Sequence, residues 1–143
     1  MLTLQFEEKS KVEFSNSYVI DFEDKFKIKL PAELIEFLKI QNGGTLRGEC
    51  YFDKHLITDF YPLFDESYGT ISQVMKYLIS EDIEKMIPFA GDPDSLTYCL
   101  SINEKDYGKI FCYRGGDWIQ GESPLFKICD SFREFINSIK VND

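Results

Sequence analysis

The sequence predicts a single α+β domain over residues 1–143, a mostly antiparallel sheet with helices packed on one face. Three observations predict it. Apolar residues recur at helical spacing early and late in the chain. Between those stretches lie short runs of alternating apolar and polar residues, separated by polar turns. The composition, 43% hydrophobic with 13 Phe and 8 Tyr, supplies the apolar surface that a core needs. A chain of this length buries roughly 70% of its unfolded surface, enough to fold without disulfides or metals. Helices flanking an antiparallel meander give the α+β class. The chain shows no internal repeat, low-complexity stretch or Pro/Gly/Ser-rich linker that would divide it.

The chain opens with a short extended segment, Leu2, Leu4 and Phe6, followed by a helix. Ser15 or Asn16 caps it, because either side chain can accept an orphan amide of the first turn. Val19, Phe22 and Phe26 form its apolar stripe. The segment 30–44 is the clearest element. Pro31 suits the first helical position, where a missing N–H costs nothing. Leu30, Leu34, Phe37 and Leu38 share a face, and Asn42-Gly43-Gly44 offers the positive-φ residues that end a helix. Residues 46–63 read as extended, with Tyr51, Phe52, Leu56, Ile57, Phe60 and Tyr61 in strands, a turn near Asp53-Lys54-His55 and Pro62 as a stop.

A third helix spans 70–80 with the stripe Ile71, Val74, Met75, Leu78 and Ile79. Short strands follow at 87–90 and 95–102, the latter alternating Leu96, Tyr98, Leu100 and Ile102 against Thr97, Cys99 and Ser101. A polar turn at 103–108 leads into a hairpin partner at 109–114, then a loop at 115–122 and a last strand at 125–129. Ser131-Phe132-Arg133-Glu134 matches a capping box, in which the Ser oxygen takes the N3 amide. The closing helix buries Phe132, Phe135, Ile136 and Ile139.

The formal charge is −9, and residues 49–94 carry ten acids against three bases, seven of the nine excess negative charges. Such a field repels nucleic acid, whose binding requires Lys and Arg to displace counterions. It attracts a basic partner and speeds the encounter; acidic surfaces also serve plain solubility. No apolar run approaches the 18 or so residues that span a bilayer. The start of the chain has no basic and then apolar pattern of a signal peptide. The four cysteines are scattered, and three lie in apolar runs, as expected of buried free thiols in a reducing compartment. These features lead us to expect a cytoplasmic protein without a membrane partner.

Three motifs, in order along residues 30–139, together resemble the SUKH superfamily, which contains the yeast cell-wall-synthesis regulators and many bacterial relatives. The first is Leu30-Pro31 through Asn42-Gly43-Gly44. The second is Ile87-Pro88-Phe89-Ala90 with Asp92, followed by Tyr98-Cys99-Leu100. The third is Ser131-Phe132-Arg133-Glu134-Phe135-Ile136. The sequence departs from the pattern at Asp94-Ser95-Leu96, where relatives usually have Gly and Asp, and at Ser101, where they often have an acid. The resemblance implies one SUKH-like domain without catalytic activity or cofactor. Its bacterial relatives are commonly immunity proteins that bind and block a toxin domain, frequently a nuclease. Its eukaryotic branch suggests the alternative, a regulatory scaffold for endogenous proteins.

The residues themselves agree with a non-catalytic reading. His55 is the lone histidine, placed in a polar turn, so a two-histidine metal site is excluded. One histidine and dispersed cysteines do not give zinc spacing, and no metal is expected. No phosphate-binding glycine loop or nucleophile elbow is present. Asp92-Pro93-Asp94 could begin a metal-dependent nuclease core. That core needs a later acid two residues before a Lys, and none follows Asp94. Asp92-Pro93-Asp94-Ser95 fits a turn instead, with partner contact possible in addition. Trp118 either packs over the sheet edge or anchors an interface, where Trp is enriched. The expected partner-binding residues are Asp92, Asp94, Asp117, Trp118 and Glu122, on loops at strand ends, with a cognate toxin domain as partner.

Overall fold

The computed structural model describes residues 4–9, 13–63, 69–92, 96–114 and 123–142. In chain order these form β1 (Phe6–Lys9), α1 (Asn16–Phe26), α2 (Ala32–Ile40), β2 (Gly44–Phe52), β3 (His55–Phe60), α3 (Ile71–Ser80) and β4 (Met86–Asp92). There follow β5 (Leu96–Ser101), a 3-10 turn (Glu104–Asp106), β6 (Ile110–Arg114), β7 (Leu125–Cys129), α4 (Phe132–Asn137) and β8 (Ile139–Asn142). Among the described residues the strands make one antiparallel sheet in the order β1-β2-β3-β4-β5-β6-β7. β8 joins β2 beyond β1: Phe6 faces Leu46 on the first half of β2, while Asn142 to Ile139 face Glu49 to Phe52 on the second.

Local chemistry explains the helix ends. Ser15, not Asn16, caps α1, its hydroxyl accepting from the Ser17 amide. Glu23 then ties α1 to the next element: its Oε2 accepts from the Leu30 amide at 2.7 Å. Thr70 caps α3 by accepting from the Gln73 amide, and Gln73 reaches back to the Gly69 amide, a reciprocal cap. Ser131 caps α4 through the Glu134 amide at 3.1 Å, as its capping-box spacing predicts.

Three expectations change. Pro31 precedes the first helical residue and serves as the N-cap position of α2 instead of its first turn. The glycines after α2 do not end it, since Gln41 closes the helix in an extended conformation. Gly43 and Gly44 do have positive φ, but they are needed for close approach. A Cβ on Gly43 would stand 2.4 Å from the Pro62 nitrogen, and one on Gly44 2.6 Å from the Glu8 carbonyl oxygen. Ile139 is not the end of the last helix. α4 stops at Asn137, and Ile139 opens β8 on the exposed flank of β2. Its spacing from Ile136 imitates a helical repeat, yet Ile139-Lys140-Val141 alternates as a strand does, and pairing with β2 decides the outcome.

The core is dominated by rings. Phe135 of α4 is fully buried, stacked on Phe52 at 4.9 Å, edge-on to Phe89 at 5.3 Å and 5.5 Å from Tyr98. Phe37 of α2 joins this group through Phe132 at 5.4 Å and Phe60 at 5.1 Å. Offset and edge-on ring pairs add about 0.5–1.5 kcal/mol each beyond their burial. Ile71 and Met75 of α3 belong to the same cluster, whereas Leu78 joins a second one with Met86, Cys99 and Tyr113. Cys99 and Tyr113 alternate along their strands with Tyr98 and Cys112 of the main cluster, so they point to the opposite face. The sheet also coils on itself. The Tyr98 hydroxyl donates to the Leu56 carbonyl oxygen, and the His55 ring lies 5.8 Å from Phe126 of β7. The start of β3 thereby crosses over the face formed by β5, β6 and β7.

Candidate partner-binding end of the sheet

Antiparallel register brings two loop roots together. Asp92, the last residue of β4, faces Leu96, the first of β5, and Leu96 faces Arg114, the last of β6. Tyr113 in turn faces Leu125, the first residue of β7. The β4–β5 connection and the β6–β7 connection therefore leave the same end of the sheet from neighbouring strands. Of the five residues expected to bind a partner, Asp92 is half-buried at this end. Asp94, Asp117, Trp118 and Glu122 lie outside the described residues, as do most of the expected turn at 92–95 and the whole loop at 115–122.

Beside Asp92 the strand ends build a packed polar group. Asp59 pairs with Gly91 across β3 and β4, and its Oδ1 accepts from the Thr45 hydroxyl at 2.8 Å. Tyr61 sits over Gly91: a Cβ there would lie 2.0 Å from the phenol oxygen. Burial pushes the Tyr61 phenol far above its ordinary range, a hydrogen bond with Thr97 opposes this, and Cys99, Asp59 and Asp92 raise it further. Tyr61 is therefore a neutral phenol at any physiological pH. It can donate a hydrogen bond but cannot act as a base.

The four thiols are disarmed in the same way. All four cysteines are buried and free. Burial raises every thiol; Cys112 is pushed up to about 12 despite the opposing influence of Arg114. A nucleophilic cysteine needs the reverse, a lowered value near a cation or helix start. His55 is the first residue of β3, half-buried, and not part of the turn itself. Burial lowers it first; Asp53 opposes, and Lys54 and Arg114 lower it further. Among the described residues no group of three His, Cys, Asp or Glu side chains could hold a metal ion. No helix among them is long and apolar enough to cross a membrane.

The described acids among residues 49–94 fall at separate places in the fold. Glu49 lies within β2 and Asp53 in the β2–β3 turn, Asp59 and Asp92 both act on Tyr61, and Glu81, Asp82 and Glu84 follow α3. The last three precede Met86, at the opposite end of β4 from Asp92. Proximity in sequence thus overstates how far these charges act together. Arg114 was not singled out by sequence reasoning, although it shares a row with Asp92. Its place as the last residue of an alternating strand next to a long loop is the signal that could have found it.

The comparison with curated proteins returns no match. Residues 13–138 match the model of the SMI1/KNR4 family (SUKH-1), a span that runs from the residues before α1 to the end of α4. The match covers most of the chain and includes all three motifs, so the protein belongs to the SMI1/KNR4 family, SUKH-1.

Proposed function

We propose that this protein is a non-catalytic immunity protein, which binds a cognate bacterial toxin domain and neutralises it. Membership of the SUKH-1 family carries the reading, because that family is generally non-catalytic and includes toxin-immunity proteins. The raised thiols and the neutral Tyr61 are consistent with a binding role. The mechanism is occlusion. Asp92 at the sheet end, with Asp94, Asp117 and Glu122 of the two connections that leave it, meets a basic catalytic cleft, with Trp118 as the apolar anchor. Opposite charge speeds such an encounter, and a central aromatic residue slows its reversal. A cleft that holds nucleic acid is the basic surface such residues would fit, so a nuclease toxin is favoured.

Co-expression with the toxin domain encoded beside this protein tests the reading. Cells should survive induction of the toxin only when this protein is present, and equal killing with and without it refutes the proposal. Charge reversal at Asp92 and Asp94 then tests the surface: the toxin's affinity should fall at least tenfold, about 1.4 kcal/mol. Stable capture of endogenous host proteins without toxin protection would instead favour a regulatory scaffold.

A further inference from the structure

Helices α2 and α4 leave a groove of about 480 Å³ between them. Its floor is apolar. Phe132 and Ile136 of α4 are buried, and Phe37 of α2 is half-buried against Phe132 at 5.4 Å. α2 therefore has two working faces. Leu34 and Leu38 fill the core, while Glu33, Glu36, Phe37 and Ile40 recur at helical spacing along the groove. Ile40 stands at the rim, 69% exposed, the most exposed large apolar side chain among the described residues.

The charges of the groove sit at diagonal corners. Phe132, the first residue of α4, meets Phe37 in the second half of α2, so α4 begins beside the C-terminal half of α2. Arg133 thus lies on the α4 wall toward that end, whereas Glu33 lies on the α2 wall at the other end. Among the described residues no ion pair engages Glu33 or Arg133, while Glu36 is matched by Lys39 at 3.3 Å. A two-fold axis through the middle of the groove exchanges diagonal corners. It sets Glu33 of each copy on Arg133 of the other and lays each α2 along the other copy's α4, as in a four-helix bundle. The same rotation carries Ile40 to the Ile136 end of the facing groove. A foreign partner must supply this pattern of charge, whereas a second copy has it already.

Each copy carries −9, so two ion pairs alone do not hold the copies together, and burial of the floor and of Ile40 supplies the attraction. A nine-residue helix is about 14 Å long. So short a face buries less than the roughly 800 Å² per partner of a standard interface, which makes the contact weak and dependent on concentration.

We propose that the α2–α4 groove is the contact of a two-fold symmetric dimer of this chain, with Glu33–Arg133 pairs across it and Ile40 as its apolar knob. The inference is independent of the immunity reading.

Sedimentation equilibrium of the intact protein up to about 1 mM should show exchange between monomer and dimer. Glu33→Arg and Arg133→Glu should each weaken the dimer at least tenfold, because like charges then face each other twice. An equimolar mixture of these two variants should regain it, and so should the chain carrying both substitutions. Ile40→Asp should weaken the dimer as well. An acid favours the first turn of α2, so Glu33→Arg costs that helix some stability. Arg133→Glu carries no such cost, and unchanged urea midpoints for it and for exposed Ile40→Asp keep the test clear of unfolding. A protein that stays monomeric to about 1 mM overturns the proposal. A dimer that folded Arg133→Glu and Ile40→Asp variants leave intact overturns it too, as does a mixture of the two charge variants that stays monomeric. A monomer whose Ala32 and Ile136 amide resonances move only on addition of a toxin domain would assign the groove to a foreign partner and overturn the self-contact.

Discussion

The side-chain oxygen of Asn42 accepts a hydrogen bond from the backbone amide of Leu63 at 2.9 Å, joining the end of α2 to the segment that follows β3. Asn42 is one of few buried polar residues among those described, and Leu63 is buried beside it. Gly43 closes the same joint by lying against Pro62. Asn42→Ala leaves a buried amide without this acceptor, a loss of about 1–3 kcal/mol. Urea unfolding should show the midpoint falling with the slope unchanged. A loss below about half a kcal/mol would mean that the Leu63 amide finds another acceptor, since surface-like substitutions fall in that range.

Most elements were legible because their signals are local. The stripe of α2, the alternation of β5 and the Ser131 cap each sit within a few residues, and each is found where its pattern places it. What escaped depends on partners far along the chain. Asn42 has the composition of a helix stop, but its hydrogen-bond partner is 21 residues away. Ile139 keeps helical spacing from Ile136, and only the open flank of β2 turns it into a strand. Ser101, read as a departure from the family pattern, is fully buried; its hydroxyl donates to Asp106 and accepts from the Asn103 amide, which shapes the β5–β6 connection. At the sheet end, register brings Asp92 and Arg114 within two strands of each other.

Gly91 and Tyr61 form a pair that a double-mutant cycle can isolate. A Cβ at Gly91 would meet the phenol oxygen at 2.0 Å and the Leu96 carbonyl oxygen at 2.9 Å. Gly91→Ala should therefore cost about 1–3 kcal/mol through overpacking. Tyr61→Phe removes the hydroxyl that clashes, and with it the bond to Thr97, at about 1 kcal/mol. In the double variant the added methyl no longer meets the phenol oxygen, although the Leu96 carbonyl oxygen remains, so the two losses should not add in full. A coupling of at least about 0.5 kcal/mol by denaturant unfolding is expected; simple additivity would show that the strand moves as a whole and not away from the phenol.

Phe135 is the point through which α4 is anchored. Its ring touches Phe52 of β2, Phe89 of β4 and Tyr98 of β5, three strands joined by one side chain of a six-residue helix. So short a helix has little stability of its own and is held by the face that it buries. Phe135→Ala should cost about 3–5 kcal/mol, and Phe135→Leu clearly less, because it refills most of the volume. Loss of α4 should also release β8, which follows after one residue. Amide exchange of Val141 should thus accelerate in step with that of Ile136. Protected exchange at β8 in a Phe135→Ala protein would show that the strand holds to β2 without the helix.

The buried acids of the core set how the fold responds to alkali. Burial raises Cys99, Cys112, Tyr61 and Tyr98 above their ordinary values, Cys112 to about 12. Each group is neutral when protonated, so folding favours the protonated form. Below the unfolded thiol value of about 8.5 both states hold the proton and stability is flat with pH. Above it the unfolded chain releases protons that the folded chain keeps. Stability must then fall as pH rises, by at most about 1.4 kcal/mol per pH unit for each fully retained proton. The tyrosines join above about pH 10, their unfolded value, and steepen the loss. Urea midpoints measured from neutral pH to about pH 11 should stay level and then decline from about 8.5. A Cys99→Ala, Cys112→Ala protein, weaker at neutral pH because of the cavities, should decline less between about 8.5 and 10. An equal slope in that interval would mean that the two thiols exchange protons with solvent through local opening, and that the sheet does not hold them closed.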